Sequence, residues 1–324
     1  YGLIGTLPAF VLMVLITVVC VALAVKRDAP FIAVLGLLGG CATPILVASD
    51  VVCPAALFGY ILLLDLGLLR LARARGWSVL AILSLVGTAL HQAIWIFGSM
   101  EEERAGLGIA VLAVFGLAFL FSSVGEREPS LLWRATRAGG VAIPFAFGLH
   151  FAGTTQLAEN PWPLGLLLLV LSAGACWLAR RQTQDIAVAA AAASLGIMAL
   201  WFLNQRVSPA LAWQAMALCV ALATVFTVAA EISRRSAGAD RIGFAALGSS
   251  IGFLALLVLA TPESQVVKPW PWVVGWAAIA VLLVRHSRWP ERAWTQLAAG
   301  LGPAIGLFLA VEAHGRNPNS LESW

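Results

Sequence analysis

Charged residues are scarce in this sequence. Its 324 residues include 20 Lys or Arg and 16 Asp or Glu, so that 11% are charged, whereas 61% are hydrophobic and the mean hydropathy is +0.92. Soluble globular domains have about 25% charged residues. The scarcity of charge excludes that class and predicts an all-α polytopic membrane protein.

The sequence also lacks the motifs of several enzyme classes. It has no dinucleotide-binding G-x-G-x-x-G, no phosphate-binding G-x-x-x-x-G-K-[ST] and no zinc-binding H-E-x-x-H. No two cysteines have C-x-x-C spacing, and we interpret the five as small packing residues: Cys20, Cys41, Cys53, Cys176 and Cys219. We therefore expect no cofactor, no metal and no nucleic-acid partner.

Long apolar runs divide the chain into twelve predicted transmembrane helices. A spanning helix needs roughly 17 to 25 mostly apolar residues, and runs of this kind alternate with short polar breaks. The predicted spans are 6–25, 31–48, 54–71, 78–97, 105–121, 138–153, 163–179, 186–203, 210–230, 242–260, 270–284 and 294–311. Residues 1–324 would thus form a single transmembrane domain. Because the sequence starts with Tyr1, we expect it to be an excerpt of a longer chain.

The basic residues predict the orientation of these helices. The breaks after odd-numbered helices hold 16 of the 20 Lys and Arg residues, and basic loops are retained in the cytoplasm. Both termini are therefore expected on the non-cytoplasmic side. The formal charge of +4 has the same explanation, with membrane lipids as the anionic partners.

A pattern of glycines and prolines recurs along the chain. The two corresponding sets are Gly36, Gly39, Gly40 and Pro44 in the second predicted helix and Gly139, Gly140 and Pro144 in the sixth. A weaker echo follows at Gly248 and Gly252. These matches predict three parallel four-helix repeats, 1–104, 105–209 and 210–324.

These glycines and prolines also suggest a local structure for the second helix. Paired glycines let helix backbones approach each other, and an internal proline removes one main-chain hydrogen bond and kinks the helix. In lipid, a neighbouring group must satisfy the freed carbonyl. Thr43 is the nearest candidate in the sequence.

The first quarter of the chain resembles a known family. Arg27-Asp28-Ala29-Pro30, the G-L-L-G-G-x-x-T-P run at 36–44, D-L-G-L-L at 65–69 and Gly76-Trp77 resemble the bacterial predicted membrane proteins catalogued as domain of unknown function 2339. The resemblance is best over residues 20–95. It implies a multi-pass protein of the inner membrane, with more helices than twelve in the complete chain, and it implies no catalytic residues.

Asp65 is the one acidic residue well inside a predicted span. Ionisable groups at membrane depth are costly and mark functional sites by default. Two interpretations are open. Either Arg70, Arg73 or the hydroxyl of Tyr60 satisfies Asp65 in a structural role, or Asp65 couples protons or binds substrate.

Other polar residues are expected near the outer ends of the helices. If the bundle brings them together, they line a cleft that opens away from the cytoplasm: His91, Gln92, His150, Asn204, Gln205, Gln214 and Glu312. Trp270 and Trp272 add an aromatic surface for a sugar or isoprenoid group. His91 and His150 lack the spacing of metal ligands. Each of these residues can equally have a structural or interfacial role.

Three classes of function fit the sequence. The favoured class is a transporter or flippase of an amphipathic or lipid-linked cell-envelope substrate, since Gly and Pro are expected to interrupt the helices at corresponding places. The first alternative is a scaffold or accessory subunit that binds other membrane subunits. The second is a membrane-embedded envelope-assembly enzyme with Asp50 or Glu312 as a base, which the short outer loops disfavour.

Overall fold

The structure, a computed structural model, describes ten α-helices and no β-strand over residues 6–46, 54–98, 100, 104–122, 130–154, 160–180, 185–204, 209–233 and 241–259, with helical residues also at 274–275, 277–279 and 281–282. The helices are α1 (Thr6–Arg27), α2 (Pro30–Leu46), α3 (Pro54–Arg75), α4 (Ser78–Gly98), α5 (Ala105–Phe121), α6 (Leu131–Gly153), α7 (Trp162–Ala179), α8 (Asp185–Asn204), α9 (Pro209–Ser233) and α10 (Arg241–Leu259).

Each of the first ten predicted runs coincides with one helix, because an apolar run of this length has no other way to satisfy its backbone in lipid. The helical residues between 274 and 282 fall within the eleventh predicted run. The twelfth run lies outside the described residues. The count of twelve spans and the orientation remain predictions.

Helix α6 is the main departure from the predicted boundaries. It begins at Leu131, whereas the sequence predicted a span from 138. The hydroxyl of Ser130 accepts a hydrogen bond from the backbone N–H of Trp133, 3.4 Å away, at the helix N-terminus. Arg134 and Arg137 therefore lie in the first two turns of α6 instead of in a loop.

Several helices have the length and composition of membrane spans. Among the described residues, five are long and apolar enough to cross a membrane: Pro54–Arg75, Ser78–Gly98, Trp162–Ala179, Asp185–Asn204 and Leu211–Ser233. Shorter apolar helices accompany them. Large apolar side chains such as Phe31 (71% exposed) and Leu63 (73% exposed) lie on the outside of the helices, as expected where lipid replaces water as the solvent.

The chain divides into two compact units between Ile143 and Pro144, within α6. In the first unit α1 packs on α2, α2 contacts α3 and α4, and α5 contacts α3 and α4. In the second unit α7 contacts α8 and α9, and α10 packs against α8 and α9.

Glycines lie at close helix contacts in both units. Gly139 of α6 contacts Leu85 of α4, and a Cβ at Gly140 would lie 2.8 Å from Cβ of Phe119 in α5. In the second unit Gly252 of α10 contacts Leu195 of α8. Gly36 is buried, whereas a Cβ at Gly39 would meet no atom within 4 Å.

Two exposed ion pairs join helix ends. Nη1 of Arg75, at the end of α3, lies 3.3 Å from Oδ1 of Asp28, in the turn between α1 and α2. In the second unit Arg241, the first residue of α10, pairs with Asp185, the first residue of α8. Within each pair, the two helix ends are ones that an alternating up-and-down arrangement of helices would put on the same side.

Candidate functional site

Asp65 lies in the middle of α3 and is 1% exposed. Two hydroxyl groups of α4 donate hydrogen bonds to its carboxylate: Ser84 to Oδ1 and Thr88 to Oδ2, the latter at 2.5 Å. Ser84 and Thr88 are four residues apart, so they lie one above the other on the same face of α4. The two hydroxyls fix the carboxylate between α3 and α4.

These partners differ from the ones that the sequence suggested. Arg70 and Arg73 are exposed, and the Tyr60 hydroxyl donates to the carbonyl oxygen of Gly40 instead. The ion pairs of Asp28 with Arg75 and of Asp185 with Arg241 lie at helix ends, and no ion pair of Asp65 is found within the described ranges. The described part of the site therefore offers the carboxylate hydroxyl donors without a compensating cation.

A second set of contacts lies near the proline of α2. Pro44 has no N–H, so the carbonyl of Gly40, four residues earlier, has no donor in its own helix. The Tyr60 hydroxyl of α3 donates to this oxygen from 3.1 Å. His91 Nε2 of α4 lies 2.9 Å from the next carbonyl oxygen, that of Cys41. The side chain of Thr43 lies outside the described residues.

His91 thus links α4 to the interrupted end of α2. It is 5% exposed, and its other ring nitrogen, Nδ1, lies 2.8 Å from the carbonyl oxygen of Gly87 in its own helix. Both ring nitrogens therefore face acceptors. A neutral imidazole has one N–H and can donate to one of them, whereas the imidazolium donates to both.

Gln92 lies beside His91 on α4 and is 2% exposed. Its Nε2 has no hydrogen-bond partner among the described residues. Next along the helix, Trp95 packs edge-on against Phe58 of α3, with ring centroids 5.2 Å apart. This buried aromatic pair joins α3 and α4 one turn beyond the polar residues.

The remaining cleft candidates belong to the second unit or lie outside the described residues. His150 is half-buried, with its ring 5.9 Å from that of Phe151. Asn204 Nδ2 donates to the carbonyl oxygen of Ala152 at 3.4 Å, which joins the ends of α8 and α6. Gln214 is half-buried, and its Oε1 has no partner in the described ranges. Gln205, Trp270, Trp272 and Glu312 lie outside those ranges.

The described residues form no group of three or more His, Cys, Asp or Glu suited to a metal ion. The predicted convergence of all the outer polar residues on one cleft remains a prediction.

The stretch Gly248-Ser249-Ser250-Ile251-Gly252 matches the G-x-S-x-G spacing of serine hydrolases. That motif requires a sharp strand-to-helix turn with an exposed serine. Here the stretch is inside α10, and the buried Ser250 donates its hydroxyl to Ala246 O of the same helix at 2.8 Å. The geometry gives Ser250 no role as a nucleophile.

Sequence reasoning missed Ser84 and Thr88 as members of the site. Their spacing contained the signal, because Ser84, Thr88 and His91 recur at i, i+4 and i+7 and so share one face of α4. A polar stripe on an otherwise apolar helix points toward a polar partner, here Asp65.

The described helices are long and apolar, and they bury a carboxylate between α3 and α4. These features are typical of a polytopic helical membrane protein. The chain belongs to the family described as predicted membrane protein DUF2339, whose model matches residues 1–322. The family match therefore extends well beyond residues 20–95, where the resemblance was first found. No curated protein and no solved structure matches the chain.

Proposed function

We propose that this chain is a carrier of the bacterial inner membrane, coupled to a monovalent cation whose charge the Asp65 carboxylate balances. The observation that carries the proposal is the buried carboxylate of Asp65, with hydroxyl partners and no ion pair in the described residues. An Asp at the centre of a spanning helix costs about 2.5 to 3.5 kcal/mol on insertion scales. A residue that only filled space would avoid that cost.

The interrupted helix supports the same proposal. Carriers commonly place the substrate and ion sites where a spanning helix is discontinuous, near the middle of the membrane. Pro44 removes one main-chain hydrogen bond from α2, and the side chains that contact the Gly40 and Cys41 carbonyls there, Tyr60 and His91, come from α3 and α4, the helices that hold Asp65 and its hydroxyl partners. Movement of the end of α2 can therefore be linked to binding of the cation near Asp65.

Asp65 has no acidic counterpart at the corresponding position of the second proposed repeat. Leu85 of α4 contacts Gly139 of α6, and Leu195 of α8 contacts Gly252 of α10, which supports equivalent places for α4 and α8. Counted from Pro54 and Pro163, Asp65 corresponds to Gly174. Helix α7 contains no charged residue, so a structural requirement common to the repeats does not explain the acid.

For the substrate, we propose an amphipathic or lipid-linked component of the cell envelope. The described helices expose many large apolar side chains, such as Leu63 and Leu90. A substrate that keeps its hydrocarbon part in the lipid needs only a small polar path through the protein.

Reconstitution of the full chain tests this function. Liposomes would carry fluorescent analogues of a phospholipid or a polyprenyl-phosphate sugar, and quenching by dithionite would report movement between leaflets. We expect the chain to accelerate one analogue and Asp65→Asn to lower that rate at least tenfold. Asp28→Asn is the matched control, because Asp28 belongs to the same unit but lies at the surface.

The outcomes separate the candidate functions. Equal rates for the unchanged chain and Asp65→Asn would remove Asp65 from the coupling role. No acceleration of either analogue over protein-free liposomes would contradict the carrier and favour a scaffold that binds other membrane subunits.

A further inference from the structure

We infer that the coupling ion of the proposed carrier is the proton, that His91 binds it, and that the Asp65 carboxylate is its counter-charge. The inference rests on the proposed function. It starts from the two acceptors that face His91: Gly87 O is 2.8 Å from Nδ1 and Cys41 O is 2.9 Å from Nε2. Only the imidazolium fills both contacts with an N–H.

Among the described residues of the helices packed around His91, Asp65 is the one carboxylate, and the arginines lie at helix ends. In the helices of the first unit packed around it, the titratable or charged side chains are Cys41 of α2, Tyr60 and Asp65 of α3, and Arg70, Arg73 and Arg75 at the end of α3, with none in α5. Helix α6 contributes Arg134 and Arg137 in its first turns. These lie at the end where Gly139 meets Leu85, which is about 9 Å before His91 along α4.

Asp65 is suited to be the counter-charge. Thr88, which donates to Asp65 Oδ2, precedes His91 by three residues on the same face of α4. A carboxylate and an imidazolium in one apolar bundle stabilise each other more strongly than they would in water. A bound proton on His91 therefore offsets the charge of the Asp65 carboxylate.

Loss of the proton changes the contact between α4 and α2. In the proposed step, Nδ1 keeps its N–H toward Gly87 O and Nε2 releases H⁺ to the aqueous phase, so that the electron pair of the broken N–H bond stays on Nε2 and faces the oxygen of Cys41. Two lone pairs then oppose each other, and the link between His91 and the interrupted end of α2 is lost. Tyr60 still donates to Gly40 O, so one of the two side-chain hydrogen bonds to the α2 carbonyls remains. Proton binding is thus converted into attachment or release of the end of α2 beside Pro44.

The geometry favours a proton over a sodium ion. Each oxygen of Asp65 already accepts a hydroxyl hydrogen, and the carbonyl oxygens of Gly40 and Cys41 are bound by Tyr60 and His91. A sodium ion would need several of these oxygens at once and would lie beside the imidazolium. The proton requires no rearrangement of oxygen ligands.

Nitrogen-15 NMR of histidine-labelled full chain in lipid nanodiscs tests the inference. The ring nitrogens report directly whether one or both carry a proton. We expect His91 to gain its second N–H as the pH falls, with no change when sodium replaces potassium at constant pH. In Asp65→Asn, we expect the proton affinity of His91 to fall at least tenfold, because the counter-charge is gone.

Assignment uses two variants. His91→Gln removes the signal, while the matched control His150→Gln leaves it unchanged. If His91→Gln does not fold, a chain with His150, His286 and His314 each changed to Gln retains His91 as its only histidine.

Several results would overturn the inference. One is a neutral His91 at every pH at which the chain remains folded; another is displacement of its proton by sodium. If leaflet exchange persists in liposomes and still depends on Asp65 in that case, the carrier stands and only the ion is wrong. If His91 gains its proton but no analogue moves, the carrier fails and the coupling role of His91 fails with it.

Discussion

The hydroxyl of Tyr60 donates a hydrogen bond to the carbonyl oxygen of Gly40, 3.1 Å away, at the position that Pro44 leaves without a helical donor. A side chain of α3 thus completes the backbone of α2. Because lipid cannot supply this hydrogen bond, the two helices depend on each other at a polar point inside an apolar bundle.

A double-mutant cycle tests this dependence. We expect Tyr60→Phe to lower the free energy of unfolding by about 1 to 3 kcal/mol, because a buried acceptor loses its donor. In a Pro44→Ala chain, residue 44 regains its N–H and Gly40 O regains a helical donor, so the same change should cost less than about 0.5 kcal/mol. Unfolding in mixed micelles, followed by tryptophan fluorescence, measures both.

Thr224→Val is the control for this cycle, because the Thr224 hydroxyl bonds only to Val220 O of its own helix in the described contacts. Equal costs of Tyr60→Phe with and without Pro44 would show that Tyr60 does not act through the proline.

Two glycines that look alike in the sequence should respond differently to alanine. We expect Gly140→Ala to destabilise the chain by about 1 to 3 kcal/mol, since its Cβ would lie 2.8 Å from Phe119 Cβ and 3.1 Å from the backbone N of Leu120. Gly39→Ala meets no atom within 4 Å and should stabilise the helix by up to about 1 kcal/mol. Thermal unfolding of the two variants compares them, and a cost at Gly39 as large as at Gly140 would contradict the close α5–α6 contact.

The hydroxyls around Asp65 should be energetically significant. Ser84→Ala and Thr88→Val each leave one carboxylate oxygen without its donor, and we expect each change to cost about 1 to 3 kcal/mol. Ser194→Ala is the control, because the buried Ser194 bonds to carbonyls of its own helix. Unfolding in mixed micelles measures these free energies. If neither Ser84→Ala nor Thr88→Val changed the free energy of unfolding, the two hydroxyls would not stabilise a charged Asp65.

Replacing the whole polar cluster should separate stability from function. We expect the triple variant Asp65→Leu, Ser84→Ala and Thr88→Val to have a free energy of unfolding near that of the unchanged chain. An apolar replacement of matching volume removes the cost of a buried charge. The same chain should lose exchange of the fluorescent analogue. Retained exchange would show that the cluster only holds the helices together.

Labelling of single cysteines tests the predicted orientation. In a chain otherwise free of cysteine, a membrane-impermeant maleimide added from outside should label Cys at position 50, 100, 158 or 266. It should not label Ser130→Cys, which lies in the break after the fifth helix. The reverse pattern would invert the topology without affecting the contacts of Asp65.

The positions of the helices were largely predictable from the sequence. Ten apolar runs each became one helix, because the backbone of an apolar segment must bond within itself when water is absent. The start of α6 was predicted seven residues too late, since Arg134 and Arg137 interrupt the apolar pattern although the backbone there is helical. An apolar run marks the part of a helix that lies in lipid. It does not include polar first turns such as those of α6.

The partners within the site were less predictable. Asp65 and His91 were identified from their cost in an apolar run, but Arg70, Arg73 and Thr43 were favoured as partners because they are near in sequence. The donors and acceptors that the structure shows come from helices 19 to 50 residues away. Sequence distance is a poor guide here, because a helix carries side chains only five or six residues apart onto different faces.

The sequence by itself determined the class of the protein, the places of the helices and the chemical need at two points: a donor for the carbonyl before Pro44 and a partner for Asp65. Hydrocarbon solvates neither group, so both needs follow from composition and position alone. Only the tertiary structure decided that Tyr60 and His91 bind the α2 carbonyls and that Ser84 and Thr88 bind the carboxylate. That choice depends on which faces of α2, α3 and α4 pack together, and the packing of many apolar side chains sets it.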